Sequence, residues 1–314
     1  MPNLCLFSGD FFRGVTPQVR AFTRCIMLLA LALPAIAEDQ KSAQPSNIHH
    51  FSIGNYQATA LHDGDIQLLN DASVIGVNQT QSEIAALLKT NHLPTDKLQL
   101  SIQGLLVRAG DRIYLFDTGA GDAKFADAGR LPEALAEAGI APAQITDIFI
   151  SHAHPDHVGG LLDDNGSARF TNAKVHMAAP EWQALQGDAN NAVLAAAIKS
   201  AVKPFAPGST LAPGVTAVQV EGHTPGHSAY EVSNGNARLL YIGDTAHHFV
   251  VSVQRPRWTI AFDGDAPVAE ASRAALLARA ADDAALQIYS PHFPFPGLGR
   301  FQRKGNDIVW VPAE

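Results

Sequence analysis

Within six residues the chain places four side chains of the kind that bind metal ions: His152-Ala153-His154-Pro155-Asp156-His157, an H-x-H-x-D-H pattern. An apolar run of β character, Ile145 to Ile150, precedes it, and the pair Gly159-Gly160 follows. Such a segment predicts a strand that ends in a tight turn, and a tight turn aims several side chains at one point. Two neutral imidazoles, His152 and His154, can then hold one cation, while Asp156 and His157 reach a second. Any fold for this chain must therefore bring that strand end to the edge of a site.

Three further positions share the context. His223 lies in Glu221-Gly222-His223-Thr224-Pro225-Gly226-His227, directly after a strand expected over 215–220. Asp244 follows one expected over 238–242, and His292 follows one expected over 286–289. In a layered sheet, loops at strand ends converge on a shared edge, which is where sites form. Nitrogen and carboxylate donors without sulfur suit zinc first, with manganese, iron or cobalt as alternatives. Seven donors are too many for one tetrahedral ion, so two divalent ions are expected. His152, His154 and His223 would hold one, Asp156, His157 and His292 the other, and Asp244 would bridge. His227 is read as support for its turn, because that turn already supplies a ligand. Asp117, just past a buried strand, is read as a carboxylate that fixes an imidazole tautomer.

The remaining sequence bounds where such a site can work. The 314 residues are 46% hydrophobic and 17% charged, enough for one domain with a substantial core. Arg20 and Arg24 precede the apolar run Ile26 to Leu33, Pro34 breaks it, and Ala35-Ile36-Ala37 offers a small-residue cleavage site. Residues 1–37 thus read as a secretory signal peptide, which predicts a periplasmic or secreted product with no membrane attachment after cleavage. Both cysteines, Cys5 and Cys25, fall inside that segment, so the mature chain has no disulfide and no thiolate ligand. The net charge is −8, and loss of three basic and one acidic residue with the signal leaves −10. With no Lys/Arg cluster, that balance excludes a nucleic-acid partner. Residues 38–50 read as a flexible polar arm, and 51–314 as a single domain.

Inside that domain, Tyr56 to Leu61 alternates as a strand that meets a turn at Asp63-Gly64. Gln81 to Leu88 and Leu131 to Ala138 read as helices, and Ala189 to Val202 as a helix stopped by Pro204. Leu105 to Arg108 and Ile113 to Phe116 form a hairpin, and Pro267 to Ala281 is a long helix. Strands and helices alternate with hairpins in each half, so the expected class is a layered α/β fold with mixed sheets.

The ordered motifs, DTG at 117–119, HAHPDH at 152–157, GHTPGH at 222–227, GD at 243–244 and the late His292, resemble the metallo-β-lactamase superfamily over nearly all of 51–314. The resemblance implies a four-layer αββα sandwich with the metals at one edge of two facing sheets. Within the superfamily, FSIGNYQATALHDG (51–64), SHAHPDHVGGL (151–161) and the ending SPHFPFPGLGRFQRKGNDIVWVP (290–312) are most similar to the methyl parathion hydrolase and lactonase-like branch. That branch implies an exported binuclear hydrolase, often a homodimer. It would use a bridging hydroxide on a small apolar lactone, an activated aryl ester or an organophosphate triester, with Asp156 and Asp244 as catalytic carboxylates. Hydrolysis of a β-lactam or thioester is the second reading, and redox chemistry at non-haem iron the third. Aromatic pocket residues implied by the resemblance are Phe125, Trp182, Phe205 and Phe293. The related acyl-homoserine lactonases carry a tyrosine three residues past the bridging aspartate. Here that position is His247, and its imidazole is expected to take the place of that hydrogen-bond donor to substrate.

Overall fold

The computed structural model describes residues 46–313. The expected signal peptide and most of the expected arm lie outside those residues. The described strands form two seven-stranded sheets, each laid out in chain order. Sheet I holds β1 (Ile48–Ile53), β2 (Tyr56–Leu69), β3 (Lys97–Ala109), β4 (Arg112–Phe116), β5 (Asp147–Phe149), β6 (Lys174–Ala178) and β7 (Val202–Phe205). Sheet II holds β8 (Thr210–Ala212), β9 (Val215–Gln219), β10 (Ser228–Asn234), β11 (Ala237–Tyr241), β12 (Leu286–Tyr289), β13 (Leu298–Lys304) and β14 (Asp307–Pro312). Helices are α1 (Gln81–Thr90), α2 (Leu131–Glu137), α3 (Pro155–Val158), α4 (Ala179–Gly187), α5 (Ala192–Ile198), α6 (Val251–Gln254) and α7 (Ala266–Ala281). None is long and apolar enough to cross a membrane, among the described residues.

Both sheets are mixed. β1 to β4 are antiparallel and β4 to β7 parallel. In sheet II only β11 and β12 run parallel. Period-two alternation assigns the layers. Tyr114, Phe116, Phe149, Tyr230, Tyr241 and Tyr289 face inward and fill one core between the sheets. Leu115, Ile148 and Val175 face outward beneath α2, α4 and α5. On the other side, Leu240 and Ile288 pack under Leu276 and Leu277 of α7. The expected αββα layering is what the chain forms.

Local readings differ in four places. Residues 48–50, assigned to the arm, belong to β1, whose Ile48 pairs with Leu61. The chain does not turn back at Asp63-Gly64. A β-bulge between His62 and Gly64 lets β2 run on to Leu69. A Cβ at Gly64 would lie 2.2 Å from the Asp127 carbonyl oxygen, so only glycine fits that bulge. The third difference is Pro204, which does not stop a long helix but sits in β7, at the sheet edge, where a missing N–H costs nothing. Finally, the C-terminal β13 and β14, with no strand expected, form a hairpin that completes sheet II.

Candidate metal centre

Parallel strands point their carboxyl ends the same way, and in each sheet the parallel pair delivers the site. His152, Asp244 and His292 each stand three residues past the last residue of β5, β11 and β12. Phe116 of β4 pairs with Phe149 of β5, and Tyr241 of β11 with Tyr289 of β12, so these exits are level. Pro155 occupies the first turn of α3, where its fixed φ suits a helix start, and the following turn presents Asp156 and His157. A Cβ at Gly160 would meet the Thr118 carbonyl oxygen at 2.0 Å, so the glycine pair lets the histidine motif close against the 117–121 loop.

Seven side chains meet there in two groups: His152, His154, His223 and Asp244, and Asp156, His157 and His292. In the first, His152 Nε2 lies 2.9 Å from His154 Nδ1, and His223 Nε2 lies 3.2 Å from both. Three nitrogens sharing so few protons do not satisfy one another. An ion bound tetrahedrally at about 2.0–2.1 Å would set them about 3.3 Å apart, close to the spacing seen. Asp244 spans the two groups. Its Oδ2 lies 3.6 Å from His152 Nε2 and 3.4 Å from His223 Nε2, while its Oδ1 lies 3.1 Å from His157 Nε2 and 3.0 Å from His292 Nε2. Asp156 Oδ2 is 3.6 Å from both His157 and His292. His157 Nε2 and Asp244 Oδ1 are buried without a hydrogen-bond partner among the described residues. Orphaned polar atoms are costly in a low-dielectric interior, and divalent cations would satisfy both. The donor set therefore suits divalent metal ions.

The electrostatics agree. Burial and the neighbouring imidazole charges hold His152 well below the usual histidine range, and burial takes His154 down to about 4. Burial also opposes charge on His157 and His223, but Asp244, with Asp156 and Asp117 for His157 and Asp263 for His223, outweighs it. His157 is held well above the usual range and His223 rises to about 9. Burial opposes the charge of Asp244, and His157, His292 and His152 overcome it, so its carboxyl sits well below the usual range. Protons and cations compete for the same lone pairs, so filling this site releases protons.

A second layer fixes the rings. Asp117, buried and at φ +54°, accepts from Ser151 N–H at 2.7 Å through Oδ1. Through Oδ2 it accepts from Ser151 Oγ at 2.6 Å and from His157 Nδ1 and Tyr241 OH at 2.7 Å. His292 Nδ1 donates to the Ser101 carbonyl at 2.7 Å. His227 donates through Nδ1 to the Val220 carbonyl, and its Nε2 accepts the Asp244 backbone N–H at 2.9 Å, so it supports the bridging residue from below. Burial drives its pKa down to about 3, which keeps that nitrogen free to accept. Sequence reasoning missed Asp263, whose Oδ1 lies 2.9 Å from His223 Nδ1, and the buried Arg273 behind it. It also missed Glu181, whose buried carboxylate accepts from Ala153 N–H, Thr224 Oγ1 and Gly226 N–H and so staples the two histidine loops together. The position of Glu181 in the first turn of α4 gives no hint of that reach.

Above the seven residues lies a pocket of about 340 Å3. Ile66, Leu68 and Leu100 of the β2–β3 ribbon, with Phe125 and Phe262, form its apolar wall. His247 lines it too, 1% exposed, with neither ring nitrogen hydrogen-bonded among the described residues, although Nε2 is 3.1 Å from Asp244 Oδ2. Three expected pocket aromatics lie elsewhere. Trp182 packs under sheet I with the outer core, because its side of α4 faces Leu185 and its neighbours. Phe205 points between the sheets against Tyr230, as strand alternation dictates. Phe293 turns away from His292 to meet Trp310 edge-on at 4.9 Å.

Comparison with known proteins closes the identification. The metallo-beta-lactamase superfamily profile matches residues 101–292. The dizinc quorum-quenching lactonase AidC, solved with its product N-hexanoyl-L-homoserine, is 30% identical with a TM-score of 0.80, over 86% of this chain and 98% of its own. The hydrolase AbOPH of the beta lactamase superfamily is 28% identical with a TM-score of 0.77, over 86% of this chain and 99% of its own. A probable metallo-hydrolase of Mycobacterium tuberculosis is 27% identical over 187 residues, 46% of this chain and 56% of its own length, so this chain spans about half of that relative. Fold, donor set and matched span agree: the chain belongs to the metallo-β-lactamase superfamily, and its domain is that of a metal-dependent hydrolase.

Proposed function

We propose that the protein is an exported lactonase or aryl ester hydrolase with a binuclear zinc centre, and that phosphotriesters fit the same pocket. One observation carries the reading: Asp244 offers one oxygen to each of two nitrogen clusters at the floor of an apolar pocket. Divalent cations held there would lower the pKa of a bound water and so supply hydroxide near neutral pH. His152, His154 and His223 would hold one ion, and Asp156, His157 and His292 the other, with Asp244 keeping the two in register.

The chain's own groups supply the rest. Asp156, whose side chain is 13% exposed, faces the pocket and accepts a hydrogen bond from the attacking water, which orients it. Ile66, Leu68, Leu100 and Phe262 exclude bulk water and seat the acyl or aryl part of the ester. His247, whose ring nitrogens make no hydrogen bond among the described residues and whose Nε2 faces Asp244 at 3.1 Å, is placed to donate a hydrogen bond to a substrate oxygen. A ring-opened alcohol or a phenolate leaves with little acid help, so no buried general acid is required. AidC, a dizinc lactonase matched over 98% of its own chain, supports the lactone reading. The leader-like residues 1–37 support export.

The test is a substrate panel of lactones, aryl esters, phosphotriesters and β-lactams, run on metal-free protein with zinc, manganese, cobalt or iron restored. Turnover of lactones or aryl esters that needs added metal is expected. Metal-dependent turnover of β-lactams or thioesters alone, or oxygen uptake at iron, would replace this reading.

A further inference from the structure

His223 is the one imidazole of its cluster that comes from sheet II, and its far nitrogen leads into a buried chain. His223 Nδ1 donates to Asp263 Oδ1 at 2.9 Å, and Asp263 Oδ2 accepts from Arg273 Nη1 at 3.3 Å. The Asp263 and Arg273 side chains are 0% and 1% exposed. Arg273 Nε also donates to the Pro256 carbonyl at 2.8 Å, and Nη2 to the Trp258 carbonyl at 3.4 Å. One guanidinium thus compensates the carboxylate behind His223 and closes the loop that carries it. The backbone repeats the tie: Gly264 N–H donates to the His223 carbonyl and Asp265 N–H to the Gly222 carbonyl, at 3.0 and 2.8 Å. A Cβ at Gly222, where φ is +108°, would sit 2.1 Å from Ala269 N, so the turn presses directly on the start of α7.

Arg273 is not a packing choice. The other buried positions of α7 are Ala269, Leu276, Leu277 and Ala280, and an apolar residue at 273 would avoid the desolvation of a buried charge. The carboxylate behind His157, by contrast, is satisfied by hydroxyl and amide donors with no arginine.

We propose that Asp263 and Arg273 are positioning residues that set the cation affinity of the His152–His154–His223 cluster. Asp263 fixes the ring angle and tautomer of His223, and Arg273 fixes Asp263. The inference rests on the binuclear reading above.

The test titrates zinc into metal-free full-length protein against a chromophoric chelator, with cobalt spectra as a second readout. Wild type takes up two equivalents. Asp263→Asn weakens one equivalent roughly 10–100-fold and leaves the other unchanged, the usual size of such an outer-layer effect. It also shifts the cobalt bands of one ion only. Arg273→Lys, which keeps the charge, recovers part of the affinity that Arg273→Met loses. If Asp263→Asn fails to fold, the paired Asp263→Asn, Arg273→Met variant removes both charges together and must show the same selective loss. Two equivalents bound with wild-type affinity by a folded Asp263 variant would overturn the inference, as would equal weakening of both. A wild-type protein that binds no zinc would instead overturn the binuclear reading itself.

Discussion

Asp117→Asn isolates one carboxylate charge from its geometry. Asparagine tolerates the left-handed φ of +54° at least as well as aspartate, so the backbone need not move. The carboxylate accepts four hydrogen bonds, one on Oδ1 and three on Oδ2. An amide has only one oxygen, and the better orientation keeps it on the His157, Ser151 hydroxyl and Tyr241 side. The NH2 group then faces the Ser151 N–H, donor against donor, where the two heavy atoms lay 2.7 Å apart. Losing one charge-assisted bond costs about 1.5–3 kcal/mol and an unsatisfied buried donor about 1–3 kcal/mol more. Allowing for relaxation, about 2–4 kcal/mol is expected, and at about 2–4 °C per kcal/mol the melting temperature of the metal-free protein falls by roughly 5–15 °C. His157 also loses its anionic partner, so zinc affinity at one site drops roughly 10–100-fold. Scanning calorimetry of metal-free protein and a chelator competition read the two effects separately. A variant that melts within a degree of wild type and binds both ions as tightly would refute the reasoning.

Three other outcomes follow from the same geometry. Asp244→Ala removes both bridging oxygens, so metal analysis should find most of the metal gone and nearly all turnover lost; full activity with two ions bound would refute the bridge. Asp147 is buried, which alone would raise its pKa, yet His176, Arg112 and Thr146 hold it down to about 2. A depressed carboxylate stabilises the fold above its unfolded value near 4. About 2 kcal/mol should therefore separate wild type from Asp147→Asn in urea at pH 5–6 and vanish as pH falls from about 4 to about 2; a gap that persists at pH 2 would contradict this. Phe262→Ala opens the pocket wall, and since the ring is 43% exposed the loss is partial. KM for apolar esters should rise several-fold with kcat nearly unchanged, and a fall confined to kcat would place Phe262 in the chemistry instead.

The seven candidate ligands could be read from sequence because each lies in a short motif directly after an apolar strand, and parallel strand exits of equal register carry them to one edge. The pocket wall could not. Ile66, Leu68 and Leu100 lie on strand extensions that exist only because the Gly64 bulge carries β2 through an apparent turn sequence. The family resemblance puts Trp182, Phe205 and Phe293 at the pocket, but strand alternation and helix facing send all three into packing. Asp263 and Arg273 sit 40 and 50 residues past His223, with no local pattern to connect them. Partners of that kind appear only once α7 is laid against sheet II.

Anomalous diffraction from crystals of zinc-loaded protein bears most directly on the central idea. Two peaks are expected about 3.5–4 Å apart, one among His152, His154 and His223 and one among Asp156, His157 and His292, with an oxygen of Asp244 on each. A single peak, or two peaks with the Asp244 carboxylate turned away from one of them, would contradict it.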